Sequence, residues 1–199
     1  DPFLTGNGDA AVSPNRVKCD YILLSHAHSD HFGDSVEIAR RTGATVIAIP
    51  EVIGLFPKTV LNFAPMNLGG RYKTDFGTIK MVQALHSCGV PGGIPCGFII
   101  SFKEGPTVYY AGDTALFGDM KLFGEMYDIN YAILPIGDNY TMGPEDALLA
   151  AKFLKAKHLI PLHYNTWPVI AQDPAAFAEK GREEGIDIIV VKPGESIEL

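Results

Sequence analysis

The run Leu24 to Gly33 reads L-S-H-A-H-S-D-H-F-G and constrains this chain more than any other feature. His26, His28, Asp30 and His31, all capable metal ligands, directly follow the apolar segment Tyr21-Ile22-Leu23-Leu24, which reads as a buried strand. The four therefore sit on the loop where a strand ends. In an extended segment alternate side chains share a face, which groups His26, His28 and Asp30 and turns His31 to the other side, so that one loop can feed two adjacent ions. A purification tag would be terminal and would lack both the aspartate and the flanking strand. One loop cannot close such a site, because a catalytic zinc takes about three protein ligands plus an open position and a pair of ions needs more. Whatever fold the chain adopts has to bring further ligands to this loop.

Candidates recur at strand ends. The strand Thr78 to Leu85 runs directly into His86, which alone could be a hydrogen-bonded turn residue or a ligand. Val108-Tyr109-Tyr110-Ala111-Gly112-Asp113-Thr114 ends another strand on an aspartate, and Asp113 could instead cap a helix read over Thr114 to Met126. The strand His158 to Leu162 ends on His163, while His158 stands at its start and is taken as structural or exposed.

H-x-H-x-D-H after an apolar strand resembles the signature of the metallo-β-lactamase superfamily, and the later strand-end ligands extend the resemblance along nearly the whole chain. The resemblance implies a two-metal site with His26, His28 and His86 on one ion, Asp30, His31 and His163 on the other, and Asp113 between them. Nitrogen-rich ligands with carboxylate suit zinc first, and imidazole also accepts manganese, iron and nickel. Diiron redox relatives tend to replace the second motif histidine with glutamate. This chain keeps His28, which favours hydrolysis: a bridging hydroxide as nucleophile, with Asp30 orienting it and Asp113 holding the pair.

The remaining elements read as an α/β chain. A helix over Asp34 to Arg41 stops at Gly43 and leads into a buried strand Thr45 to Ile49. Antiparallel texture follows over Tyr72 to Asp75, Thr78 to Leu85, Gly97 to Phe102 and Thr107 to Tyr110. Strands Tyr131 to Pro135, His158 to Leu162 and Ile186 to Val191 then alternate with helices opened by Pro144 and by Asp173-Pro174. Two β-rich segments flanked by helices imply a four-layer αββα sandwich, as the resemblance does, in one domain over residues 1–199. Chains of this kind carry an N-terminal β-hairpin leading into a similar Asp-Pro, so the resemblance places two strands ahead of Asp1-Pro2.

Composition narrows the function classes. A net charge of −7 with scattered Lys and Arg argues against a surface built for nucleic-acid backbone. No apolar run approaches the ~20 residues of a membrane span, and the odd count of Cys19, Cys88 and Cys96 suits a reducing, cytoplasmic setting. The expected partner is a small molecule, with a homo-oligomer left open.

Specificity must come from loops beside the ions. The Gly/Pro-rich loop Ser87 to Cys96 is a candidate lid, with its cysteines read as ordinary buried thiols. Asn139, Tyr140 and Thr141 precede a helix N-terminus, and Tyr164 and Asn165 follow His163; these five are the candidate substrate contacts. Trp167 could line the same mouth or belong to the core. The G-D-N-Y-T-M-G-P-E-D and H-Y-N-T segments are similar to a branch of metal-dependent hydrolases related to L-ascorbate 6-phosphate lactonase-like proteins. The leading expectation is a hydrolase of a small ester, lactone or phosphodiester; the alternatives are a ribonuclease Z-like nuclease acting with partners and a non-catalytic metal-binding scaffold.

Overall fold

The computed structural model describes residues 1–199 and holds two sheets. Strands β1 (Tyr21–Leu23), β2 (Thr45–Ala48) and β3 (Phe63–Pro65) form a parallel three-stranded sheet in the order β1-β2-β3. The second sheet has seven strands: β4 (Arg71–Lys73), β5 (Gly77–Gln83), β6 (Cys96–Phe102), β7 (Thr107–Tyr110), β8 (Tyr131–Pro135), β9 (His158–Leu162) and β10 (Asp187–Ile188). Their spatial order is β10-β9-β8-β7-β6-β5-β4. The helices are α1 (Ser29–Phe32), α2 (Ser35–Thr42), α3 (Pro50–Ile53), α4 (Met120–Met126), α5 (Pro144–Leu154) and α6 (Pro174–Glu183).

Alternation along the strands explains the layering. On β5 and β6, Ile79, Met81 and Phe98 turn toward the small sheet and pack with Ile22, Leu24 and Val46. Val82 and Ile99, at the opposite parity, pack with Ala147, Leu148, Ala151 and Leu154 of α5, with Met120 of α4 and with Phe177 of α6. Val46, Ile47 and Ala48 of β2 are all buried, as in a parallel strand covered on both faces. This is the four-layer sandwich, with one apolar core between the sheets and another beneath α4 to α6.

The topology also decides where the functional loops meet. β5 and β7 are both antiparallel to β6 and so run in the same direction, and β8 and β9 are parallel to β7. The C-terminal ends of β5, β7, β8 and β9 therefore open on one edge of the large sheet. Hydrogen bonds from Cys96 N to Ser25 O (2.9 Å) and from Ala27 N to Cys88 O (2.8 Å) tie the loop after β1 to the same edge.

Three expectations are corrected. The helix read over Thr114 to Met126 begins only at Met120. Residues ahead of it are engaged elsewhere: Ala115 N donates to Leu85 O, Thr114 Oγ1 accepts from Leu85 N, and Gly118 adds little helix propensity. The strand expected over Ile186 to Val191 pairs only at Asp187 and Ile188, because the register brings the next turns of the ladder opposite Pro161, which has no N–H to give. The segment after His28 is not extended, since Ser29–Phe32 forms a helical turn. The face-sharing read from strand alternation therefore fails beyond His28. The strand β3, which no periodicity announced, completes the small sheet, and the equally unannounced helix α3 lies on the connection from β2 to it.

Candidate metal centre

Every strand-end histidine and aspartate of the sequence reading arrives at the shared edge. His26, Asp113 and His163 follow β1, β7 and β9, and His86 follows β5. Ligand atoms of His26, His28 and His86 lie within 4.8 Å of one another, and those of Asp30, His31 and His163 do the same. The helical turn α1 creates this division. It separates Asp30 and His31 from His28, whose Nδ1 stays 2.9 Å from His26 Nε2.

Asp113 stands between the two groups. Its Oδ2 is 3.6 Å from His86 Nε2, 4.0 Å from His26 Nε2 and 3.3 Å from His163 Nε2, while Oδ1 is 3.3 Å from His31 Nε2. Asp30 Oδ2 closes the second group at 3.5 Å from His31 and 3.4 Å from His163. The backbone here is held in uncommon conformations. Gly112 adopts φ +60°, and a Cβ there would stand 2.6 Å from that of Ser25. His163 itself sits at φ +54°, a conformation that a non-glycine residue keeps only where its surroundings enforce it.

The donor set fits cations. His31 Nε2, Asp113 Oδ1 and both ring nitrogens of His163 are buried without a hydrogen-bond partner. Such orphans are costly in a folded core, and a positive ion placed among them satisfies them together. Burial, reinforced by neighbouring imidazoles, lowers the pKa of His26 to about 2, and burial also lowers that of His86. Both rings are thus held neutral, the form that ligates. Burial by itself would raise the pKa of Asp30, but the facing His163 and His31 outweigh it and bring it to about 2, so the carboxylate is ionised.

Sequence reasoning missed the groups that hold these ligands. The Asp1 carboxylate is buried and accepts hydrogen bonds from Ser25 N (2.7 Å), Ser25 Oγ (2.6 Å) and Tyr110 OH (2.5 Å). It also lies 3.0 Å from His31 Nδ1, and Ser25 Oγ lies 2.9 Å from His26 Nδ1. A carboxylate behind a ligating imidazole fixes its tautomer, leaving Nε2 free for the ion. Ser87 Oγ stands in the same relation to His28 Nε2, at 3.3 Å. Only the Asp1-Pro2 pair, noted for its resemblance, could have pointed to Asp1.

A cleft of about 540 Å³ opens above the two groups. Of the five candidate substrate contacts, Tyr140 lines it, together with Ser29, Ser87, Trp167 and Val169. Asn139 and Thr141 do not, and Tyr164 and Asn165 line a separate hollow beside Leu4, Asn7 and Val190. Asn165 is occupied in its own loop, where its Oδ1 accepts from Gln172 N at 2.7 Å. Trp167 belongs to the cleft rather than the core. Cys88 and Cys96 are buried and burial raises both thiols, which keeps them protonated. His158 lies at the far end of β9, 2.6 Å from Asp187 Oδ2.

The family model of the beta-lactamase superfamily domain matches residues 4–164. The chain belongs to that superfamily. Within it, the chain is a member of the UPF0173 metal-dependent hydrolase family. It is 48% identical over 207 residues to the UPF0173 metal-dependent hydrolase GWCH70_2696 of Geobacillus sp., spanning 100% of this chain and 90% of that one. It is likewise 48% identical over 203 residues to the UPF0173 metal-dependent hydrolase TTHA1283 of Thermus thermophilus, covering 100% and 89%. Among solved structures, Igni18, a metallo hydrolase from the archaeon Ignicoccus hospitalis, superposes with a TM-score of 0.84 at 41% identity, over 92% of this chain and 80% of that one.

Proposed function

We propose that this protein is a dinuclear hydrolase acting on a small ester, lactone or phosphodiester, with zinc as its first-choice metal. The observation that carries the reading is the position of Asp113, whose two carboxylate oxygens face both ligand groups. A lone ion would need only one of those groups. His26, His28 and His86 would hold one ion, Asp30, His31 and His163 the other, with Asp113 shared. Divalent ions bound there supply Lewis acidity, bringing the pKa of water toward neutrality and countering negative charge as it develops.

The chain's own residues do the rest. Asp30, partly exposed on the cleft wall and ionised, accepts a hydrogen bond from the attacking water and orients its lone pair toward the substrate. The neutral imidazoles of His26 and His86 contribute no positive charge of their own and leave the carboxylates of Asp30 and Asp113 to offset the ions. Asp1 and Ser25 hold His31 and His26 from behind, so that the ligands need little reorganisation during turnover.

Elemental analysis of untagged protein, paired with turnover of bis(p-nitrophenyl) phosphate and a simple lactone, tests the reading. The expected result is about two divalent ions per chain, as a two-metal site requires, with turnover of either compound. A protein that takes up one ion or none after metal is added back, and hydrolyses neither compound, would refute it.

A further inference from the structure

The wall of the metal cleft has a composition that the ligands do not require. Tyr140, Trp167 and Val169 line it with relative exposures of 56%, 37% and 52%. Isolated apolar side chains on a surface need no explanation, but these three converge beside one set of ligands. The loops that present them are fastened from beneath. In the loop after β8, Thr141 N donates to Asp138 O and Met142 N to Thr114 O, with Met142 buried. In the loop after β9, Asn165 N donates to Ile170 O and Ile170 N to Trp167 O, with Ile170 buried. Phe3 stacks 6.0 Å from the Trp167 ring, which stands 6.4 Å from that of His163.

Charge completes the picture. The cleft lining contains Asp30 and Asp113 but no Lys or Arg. A substrate carrying an anionic group away from its scissile bond finds no partner for it there, and burying an unpaired charge is expensive. An apolar substituent finds three side chains already ordered to receive it. The remaining polar lining, Ser29 and Ser87, lies beside the ligands and suits a neutral carbonyl compound.

We infer that the substrate is a neutral carboxylic ester or lactone bearing an alkyl or aryl substituent, seated on Tyr140, Trp167 and Val169 with its carbonyl over the ligand groups. This rests on the hydrolase reading and narrows it, setting aside sugar phosphates and other substrates with a distal anion. In the reaction, water oxygen bonds to the acyl carbon and the bond from that carbon to the ester oxygen breaks. One water proton ends on the leaving alcohol, and the other is released as the carboxylic acid ionises.

Trp167 is the single tryptophan of the chain, so fluorescence excited selectively at tryptophan reports on this wall alone. The metal-loaded protein is titrated with a pentyl-substituted cyclopentanone, which copies an alkyl lactone but cannot be hydrolysed, with unsubstituted cyclopentanone, and with a cyclopentanone whose pentyl chain ends in a carboxylate. The pentyl compound should give a saturable blue shift at a concentration about tenfold or more below that of cyclopentanone, as burying several methylenes predicts. Val169→Ser should weaken that binding about threefold for the loss of a partly buried aliphatic group.

In parallel, kcat/KM for γ-nonalactone should exceed that for γ-butyrolactone by a similar factor, and the ratio should collapse toward one in Trp167→Ala. Equal binding of the pentyl and unsubstituted ketones, or tighter binding of the carboxypentyl ketone than of the pentyl one, overturns the inference and leaves the hydrolase reading standing. Absence of turnover of both lactones with retained turnover of bis(p-nitrophenyl) phosphate also overturns it. Loss of turnover of all three compounds would instead sink the hydrolase reading, while the ketone titration still decides whether the wall takes apolar groups.

Discussion

Strand β9 carries a histidine at each end, and the two could hardly be treated more differently. His158, at the start, is partly exposed, stacks 4.8 Å from the Tyr131 ring and has Asp187 at 2.6 Å from its Nδ1. His163, just past the end, is mostly buried, holds a positive φ and has no hydrogen bond on either ring nitrogen. By the ordinary rules of polar satisfaction the first is complete and the second is not. The contrast teaches that a candidate ligand shows itself less by residue type than by an unmet need: the protein buries and bends His163 at a cost that a bound cation would offset.

The sharpest way to break this comparison is to truncate both ends of the strand. His163→Ala should lower metal content and reduce hydrolysis by at least about a hundredfold, more than loss of a supporting partner costs. His158→Ala should leave both near the unmodified protein's values. Equal losses measured by elemental analysis and turnover would mean that the two ends were misread.

A smaller effect is expected behind the ligands. Asp1→Asn keeps the shape but removes the carboxylate that faces Ser25, Tyr110 and His31. Metal affinity, measured by competition with a chelator, should fall about 10- to 100-fold. An unchanged affinity would reduce Asp1 to a packing residue.

The smallest effect concerns acid. His26 has its pKa lowered from 6.5 to about 2, so in metal-free protein the unfolded chain binds that proton more readily than the folded one as pH falls below 6.5. Asp30, lowered from 3.8 to about 2, adds a loss in the same direction once pH falls through 3.8. Thermal unfolding of chelator-treated protein should therefore show a Tm that declines from pH 6.5 downward. His26→Ala should flatten that decline.

Much of the centre was legible because its chemistry is local. His26, His28, Asp30 and His31 lie on one loop, and His86, Asp113 and His163 each end a strand that its own apolar run announces. What could not be read depends on contacts made across the chain. Asp1 meets Ser25 and Tyr110 only when β1 packs against β7, at separations of 24 and 109 residues. Thr114 to Gly118 has a helical look, and loses it because Leu85 takes its backbone and side-chain hydrogen bonds. Tyr164 and Asn165 follow a ligand in sequence but are turned away by the positive φ of His163 and Asn165, whereas Val169, six residues past His163, is returned to the cleft by its 3-10 turn.

The Asp1 carboxylate has a consequence for how the protein fills. Its Oδ2 reaches His31 directly and His26 through Ser25, so each ligand group rests on the same oxygen. In the two-ion site proposed above, an ion settling against His31 would stiffen Asp1 and, through Ser25, the ring orientation of His26; by linkage the second ion would return the favour in equal measure. One carboxylate oxygen would thereby couple the filling of the two groups, working against the mutual repulsion of the ions.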